Sequence, residues 1–360
     1  MKLFTGKVLS GLSFAAISSL VSTGGLQAHD HYRSIASEVL ANHVMKIGDK
    51  SVQAQVKATN DFIATLDDSL KKKLLFPLDS TERGIWTNVG TPKDAKGLRM
   101  HDLNAEQVKG CMRMLATMMG NKGYAAAVEV PLADDELIPA GEKKVSDNGY
   151  GVANFTLLVF GEPSVDKPWG IQYDGHHLIF NITVHGDKMS MSPSFIGTRP
   201  STFMLNGKEV KPINGLAEKG HELVGLLDDE QKKQAILPGK PFNLRTGAGK
   251  DGVVPAARGV KVSSFNEKQK GALLALISEY TATMPHAVAQ RRNEELKKEF
   301  DQMHFVWGGS VESGKPMSYA IQSPTLIIEY ACQGRGNKSL DHIHAMYRDP
   351  TNEYGAQFVK

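Results

Sequence analysis

Apolar positions along the chain recur with two different periods, and the period predicts which segments are helices and which are strands. In residues 35–75 they return every three or four positions, a spacing typical of amphipathic helices. Gly48 divides this stretch into two predicted helices, and Pro77 closes it. Asn104 and Gln107 resemble a capping box, so another helix is predicted to begin there.

Segments rich in β-branched and aromatic residues predict strands in the middle of the chain. Residues 154–161 have the content of a buried strand, and residues 169–187 predict two strands bent at Gly175, or one kinked strand. Asn206-Gly207 is a strong two-residue turn signal, so residues 203–210 are predicted to form a hairpin.

Residues 122–150 give no clear period and are predicted to be mixed and rich in turns. Their acidic triplet, Asp134-Asp135-Glu136, is predicted to be solvated, as runs of like charge usually are.

Helical patterns return between residues 216 and 303, and strand patterns run from 304 to the end. Residues 238–258 hold many Gly, Pro and Lys residues and predict a long loop, which is either mobile or functional. The chain shows no repeat and no linker. We therefore predict an α+β fold in a single large domain, with a mixed, mainly antiparallel sheet packed with helices.

Residues 1–28 have the pattern of a signal peptide. A basic start is followed by a short apolar run, and Leu26-Gln27-Ala28 suits signal-peptidase cleavage. No other segment approaches the roughly 20 apolar residues of a membrane span. We expect residues 29–360 to form the mature domain, periplasmic or secreted, with no membrane span after signal removal.

Composition narrows the class of partner. The net charge is +3, and two of the positive charges belong to the predicted signal, so the mature chain is close to neutral. This argues against nucleic acid as an obligatory partner and leaves a small-molecule ligand or substrate. Cys111 and Cys332 are the only cysteines. They could form one disulfide, or Cys111 could be buried on its apolar helix face.

Histidines cluster in two strand-like segments, His176-His177 and His342-Ile343-His344. Adjacent strand residues point to opposite faces, so only one of His176 and His177 can enter a given site unless Gly175 bends the backbone. The sequence does not decide which one does. The spacing of two places His342 and His344 on one face, and we hypothesise that both segments meet around a metal or a reacting group.

The segments that carry these histidines also carry a family resemblance. Pro168-Trp169-Gly170 followed by Gly175 to Asn181, and Pro324 to Tyr330 followed by His342-Ile343-His344 and Arg348-Asp349-Pro350, resemble motifs of the DUF3500 family of uncharacterised proteins. The resemblance covers most of the mature chain. It implies one exported unit and no particular activity.

Imidazole and carboxylate together suit Zn, Fe, Mn or Cu, so an unidentified divalent transition metal is the predicted cofactor. The predicted ligands are His177, Glu329, His342 and His344. Glu329 ends an apolar run and would be costly to bury without a partner. The alternatives are that the histidines are half-exposed strand residues and that Glu329 forms a structural ion pair with Arg348.

These residues favour an exported metal-binding enzyme, hydrolytic or oxidative, although the sequence alone leaves enzymatic activity open. Glu218 is the candidate general base, and Arg348 or Arg83 would contact an anionic part of the substrate. The first alternative is a non-catalytic periplasmic protein that binds a small ligand in a cleft lined by Trp169 and Tyr173. A second is a structural protein whose polar residues form a hydrogen-bonded core network.

Overall fold

The computed structural model describes residues 33–42, 48–142, 144–334 and 336–359, with side chains omitted for 336–338. The predicted signal peptide lies outside these residues. The α-helices are α1 Ile35–Ala41, α2 Val52–Ala64, α3 Asp68–Leu74, α4 Ala105–Met118, α5 Asn121–Asp135, α6 Leu216–Leu226, α7 Asp229–Ala235, α8 Glu267–Thr281 and α9 His286–Lys297. Short 3-10 turns occur at Thr81–Gly84, Met100–Asp102, Val152–Asn154, Val262–Ser264, Phe300–Gln302, Gly336–Asp341 and Glu353–Gly355.

The strands cover both the middle and the end of the chain. They are β1 Leu75–Phe76, β2 Leu98–Arg99, β3 Thr156–Phe160, β4 Trp169–Gly175, β5 Leu178–His185, β6 Lys188–Ser190, β7 Ser194–Thr198, β8 Phe203–Leu205, β9 Lys208–Val210, β10 Ile236–Leu237, β11 Val260–Lys261, β12 His304–Gly309, β13 Met317–Ser323, β14 Leu326–Cys332 and β15 Ile343–Arg348.

One large sheet joins the two strand-rich parts of the chain. Its order is β1-β3-β4-β5-β7-β15-β14-β13-β12-β10, with β2, β6 and β11 added beside β3, β5 and β12. Strands β7 and β15 pair antiparallel at the centre, so residues 194–198 meet residues 343–348. Only the short β1 and β10 pair parallel to their neighbours among the described strands. The predicted α+β fold in a single domain is confirmed.

The two faces of the sheet differ in chemistry. The first face is apolar and aromatic and forms the main core with the helices; it includes Leu157, Ile171, Tyr173, Phe180, Tyr319, Ile328, Tyr330 and Tyr347. The second face alternates with it and carries Thr156, Gln172, Asp174, Asn181, Thr183, Ser318, Gln322, Glu329, His344 and Arg348, all buried. Loops cover much of this polar face, and we call it the polar face below.

Helix α4 and the hairpin of β8 and β9 lie where the sequence predicts them. The prediction that residues 122–150 are mixed and rich in turns was wrong for the first half, because α5 occupies residues 121–135; the described residues of 136–150 do form turns. This helix is buried on most sides and contains Pro131, so it shows no apolar stripe against a polar face. The acidic triplet was also misjudged, since Asp134 and Asp135 are 1% and 3% exposed.

Two further features bear on the sequence predictions. Cys111 and Cys332 are both free and buried, and burial raises the pKa of the Cys111 thiol to about 12. Among the described helices, none combines the length and the apolar character that crossing a membrane requires.

Gly175, the last residue of β4, packs closely against the ring of Phe155 just before the β4–β5 turn. A methyl group added there would lie 2.6 Å from the ring of Phe155. We expect Gly175→Ala to lower the free energy of unfolding by about 1–3 kcal/mol, because the site is already filled. Urea denaturation measures the change.

Gly225→Ala is the matched control, because nothing lies within 4 Å of the added methyl on this exposed position of α6. That variant should gain about 0.5–1 kcal/mol from helix propensity. Equal stability of the two variants would contradict the close packing of Gly175.

Candidate metal centre

The β4–β5 connection is a two-residue turn made of the adjacent histidines. Gly175 pairs with Leu178, which leaves His176 and His177 as the turn. His177 has a φ of 67°, a value that non-glycine residues seldom adopt. The two imidazole rings stack with centroids 3.6 Å apart. Adjacent residues point to opposite faces only in a regular strand. His176 and His177 lie in a turn, so both rings can lie on the same side.

Three imidazoles from distant parts of the chain converge beside this turn. His177 Nε2 lies 2.9 Å from His342 Nε2, which lies 3.0 Å from His344 Nε2. His177 is buried, His342 is half-buried, and His344 is 9% exposed. These three side chains form a group that could hold a metal ion. The pairing of β7 with both β5 and β15 brings the two histidine segments together.

Gly197 on β7 makes room for the rings. It is opposite His344 in the sheet register, and its amide donates a hydrogen bond to the carbonyl of His177. A Cβ at this position would lie 2.9 Å from His177 Cδ2 and 3.1 Å from His344 Cδ2. An isolated glycine in a strand often marks such a close approach, and this signal in the sequence was not used.

Hydrogen bonds among the three rings cannot satisfy all three Nε2 atoms at once. Each Nε2 carries either one proton or one lone pair in a neutral ring. His342 Nε2 therefore makes a good hydrogen bond to only one of its two neighbours. An ion at the centre would accept a lone pair from all three nitrogens, which is the usual role of converging neutral imidazoles.

Burial keeps the three rings neutral. Burial first, and then the neighbouring imidazoles and, for His177 and His342, the guanidinium of Arg199, lower the pKa of these rings. The pKa of His177 lies well below its usual range, and those of His342 and His344 fall to about 4 and about 3. Neutral imidazoles present the lone pairs that a metal needs.

A buried carboxylate supports the turn from the other side. One carboxyl oxygen of Asp134, near the end of α5, is hydrogen-bonded to His176 Nδ1, and the other accepts a hydrogen bond from the Gly151 amide at 2.7 Å. Burial raises the pKa of Asp134, and the contact with His176 opposes this shift. Asp134 also lies 3.9 Å from His177 Nδ1, and Asp134, His176 and His177 form a second group able to hold an ion.

Glu329 is directed away from the histidines and toward the loop of residues 238–258. Its Oε2 accepts hydrogen bonds from the amides of Arg245 and Thr246, both at 2.9 Å, and from the Thr246 hydroxyl at 2.7 Å. The Arg245 guanidinium lies 3.5 Å from Oε1. The hydrogen bonds to Oε2 hold Glu329 to this loop, and Glu329 is not part of the group that His177, His342 and His344 form.

The two predicted substrate-binding arginines also have internal partners. Arg348 is fully buried, pairs with Glu353 and donates to the carbonyl of Lys250 at 2.9 Å. Arg83 donates to the Thr183 hydroxyl at 2.6 Å and to the carbonyl of Tyr354 at 2.8 Å. Both side chains tie covering segments to the polar face.

Glu218 lies on the other side of the sheet. It is exposed in α6, where its carboxylate accepts a hydrogen bond from the Gly215 amide at 3.0 Å and caps its own helix. Gly220, in the same helix, packs against Tyr319 on the apolar face. The structure therefore does not bring Glu218 to the three histidines.

Three residues near the site were not among the sequence candidates: Asp134, Gly197 and Arg199. His176, which the sequence left open as an alternative to His177, stacks on His177 and does not belong to the group of three histidines. Arg199 follows β7 and is exposed, and its charge acts on His177 and His342. Asp134 gave no usable signal, because nothing in the local sequence distinguishes a buried acidic residue at a helix end from a solvated one.

Residues 48–356 match the model of the family described as "Protein of unknown function (DUF3500)". The match covers most of the chain, so the chain belongs to this family. No curated protein and no solved structure matches it. Chemistry at the site therefore has to be inferred from the residues themselves.

Glu329→Gln tests the role that its contacts assign to this carboxylate. We expect it to lower the free energy of unfolding by about 1.5–3 kcal/mol, since hydrogen bonds to a charged acceptor are weakened. Limited proteolysis should then cut residues 238–258 faster than in the parent protein. Ser323→Ala, at another buried polar position of the sheet, is the control for general loss of stability.

If Glu329 were instead a metal ligand, added zinc would raise the melting temperature of the parent and fail to raise that of Glu329→Gln. We expect zinc to stabilise both proteins equally.

Proposed function

We propose that this member of the DUF3500 family is an exported metal-dependent hydrolase, in which His177, His342 and His344 hold a divalent transition metal that activates water. The observation that carries the proposal is the convergence of three Nε2 atoms. That of His342 lies 2.9 Å from that of His177 and 3.0 Å from that of His344. Export rests on residues 1–28 of the sequence.

The spacing suits a shared ion. Two nitrogens bound at about 2.1 Å and at right angles to each other would be about 3.0 Å apart, and tetrahedral angles would separate them by about 3.4 Å. Small movements of the rings reach either geometry. Imidazole ligands suit Zn, Fe and Cu better than Mn, and zinc is the ion whose chemistry is hydrolytic without a redox partner.

The charge of the site supports water activation. Three neutral ligands would leave the charge of a divalent ion uncompensated. A zinc ion held in this way would lower the pKa of its water ligand to about 7. His342 is half-buried, so solvent can reach its side of the cluster. The ion would supply the nucleophile, and the chain's residues would position it.

Side chains beside the three proposed ligands would orient a ligand and bind the substrate. Asp134 holds His176, whose ring stacks on His177 and fixes its orientation. Arg199 is exposed and lies close enough to lower the pKa of His342 and His177. We assign it the binding of an anionic part of the substrate, the role first considered for Arg348 or Arg83. Glu218 has no part in this mechanism.

The metal itself is tested by elemental mass spectrometry of protein purified from the periplasm of a host cell. We expect about one equivalent of a transition metal, as three converging imidazoles imply, and almost none in the His342→Ala, His344→Ala double variant. His286→Ala is the control, because this histidine is exposed on α9. No metal in the parent, and no thermal stabilisation by added Zn, Cu, Fe or Mn, would contradict the proposal.

Turnover is tested in the same proteins with p-nitrophenyl acetate, an ester that a metal-bound hydroxide can attack. The zinc-loaded parent and His286→Ala should hydrolyse it faster than the double variant. Equal rates in all three proteins would refute the hydrolytic proposal even if the metal is bound.

Arg199→Ala should weaken anion binding at the centre. Loss of one neighbouring charge predicts about a fivefold increase in the dissociation constant of azide, since close ion pairs contribute on the order of 1 kcal/mol in a half-exposed site. Titration of the cobalt-substituted protein, followed by its visible spectrum, gives this constant.

Arg291→Ala is the control for net charge, because Arg291 is exposed on α9. Equal azide affinity in the parent, Arg199→Ala and Arg291→Ala would remove Arg199 from the proposed mechanism.

A further inference from the structure

A separate cavity lies on the polar face, between the segment 82–96 and strands β3 and β4. Its volume is about 290 Å³. Trp86, Thr91, Gln172 and Asp174 are among the residues that line it, and none of the three clustered histidines does so. The cavity is of a size that suits a small ligand or one end of a larger one.

Two buried polar side chains in its wall each have an oxygen atom that lacks a hydrogen-bond partner among the described residues. Asp174 is 8% exposed and its Oδ1 makes no hydrogen bond, and Thr91 is 4% exposed and its Oγ1 makes none. Buried carboxylates and hydroxyls are nearly always hydrogen-bonded in folded proteins. Two such exceptions in the wall of one cavity therefore point to a ligand that supplies hydrogen-bond donors.

The charge of the lining specifies the ligand further. Glu82, Asp94 and Asp174 contribute carboxyl groups, and Lys96 is the one basic side chain among the lining residues. Asp94 and Lys96 are exposed at the rim, whereas Asp174 is buried in the wall. The deepest titratable group is thus acidic. Burial raises the pKa of Asp174 well above its usual range, and no basic side chain is bonded to it in the described part of the chain.

Trp86 provides an apolar wall at a fixed angle. Its indole N–H donates to the Tyr354 hydroxyl at 3.1 Å, and that hydroxyl donates to Asp251 at 2.8 Å. The indole N–H is therefore already bonded, and the ring is held for contact with a ligand. An indole face attracts cations more strongly than other aromatic side chains do.

We propose that this cavity binds a primary ammonium group, with Asp174 and Thr91 accepting its hydrogen bonds and Trp86 covering the attached carbon chain. A neutral hydroxyl ligand would also donate a hydrogen bond, but it would leave the buried carboxylate without a compensating charge. A quaternary ammonium would supply the charge without the donors. This inference does not depend on a metal at the histidines.

The test compares butylammonium with butan-1-ol, a neutral molecule of nearly the same shape. The indole N–H signals of the three tryptophans are followed in a ¹⁵N-labelled sample, and Trp86→Phe identifies the signal of Trp86. We expect butylammonium to shift the Trp86 signal with a saturating, millimolar dissociation constant and butan-1-ol to bind at least about tenfold more weakly.

Variants locate the binding group. Asp174→Asn keeps the shape and removes the charge, so we expect at least about a tenfold loss of butylammonium affinity, whereas Asp94→Asn at the rim should change it less than about threefold. Lys96→Ala should strengthen binding by removing a competing cation. Thermal melting tests whether Asp174→Asn is folded. If that variant does not fold, Thr91→Val serves in its place, and we expect it also to lose butylammonium affinity.

Equal binding of butan-1-ol and butylammonium, or unchanged affinity in both Asp174→Asn and Thr91→Val, would overturn the proposal. A Trp86 shift with glucose and none with butylammonium would assign the cavity to a polyhydroxylated ligand instead and would overturn it as well. The metal content of Asp174→Asn should equal that of the parent. Its measurement separates failure of this inference from failure of the proposed metal centre.

Discussion

The structure depends on one constraint, which is that both faces of its central sheet are buried although one of them is polar. The apolar face is covered by helices through ordinary hydrophobic packing. The polar face has to find a partner for each buried amide, hydroxyl and charge, because an unpaired group there costs more than it contributes. Loop backbone supplies most of these partners. This explains why residues 238–258 lie against the sheet despite having no regular structure of their own.

The same requirement distinguishes structural residues from functional candidates on this face. Glu329, Arg348 and Arg83 have the charges expected of an active site, but their hydrogen bonds and ion pairs go to a loop or to the C-terminal segment and hold it in place. The three histidines contact one another instead, and Asp174 has an unpartnered Oδ1 and lines a cavity. On this buried face, the partners of a side chain therefore separate structural residues from binding candidates better than residue type does.

The sequence predicted the parts of this molecule that depend on local pattern. Helix α4 follows from its capping pair and apolar stripe, and the β8–β9 hairpin from Asn206-Gly207. The spacing of His342 and His344 indicated that their rings meet, although His342 precedes β15. Helix α5 was missed because burial on nearly all sides removes the periodic signal. Two strands bent at Gly175 were one of the two predictions for residues 169–187, but the positive φ at His177 was not foreseen, because propensities disfavour it. Nothing local separates Glu329, which binds a loop, from a ligand carboxylate.

The positive φ of His177 connects the fold to the proposed chemistry. Holding a histidine in this conformation costs on the order of 1 kcal/mol. The hydrogen bond from Gly197 to His177 and the hydrogen bond between Asp134 and His176 offset part of that cost in the protein itself. An ion bound by three nitrogens would offset the remainder, because its binding free energy adds directly to that of the folded state. It would also join the β4–β5 turn to β15, two segments that are more than 160 residues apart in the chain. In this proposal the centre is thus a cross-link of the sheet as well as a reactive site.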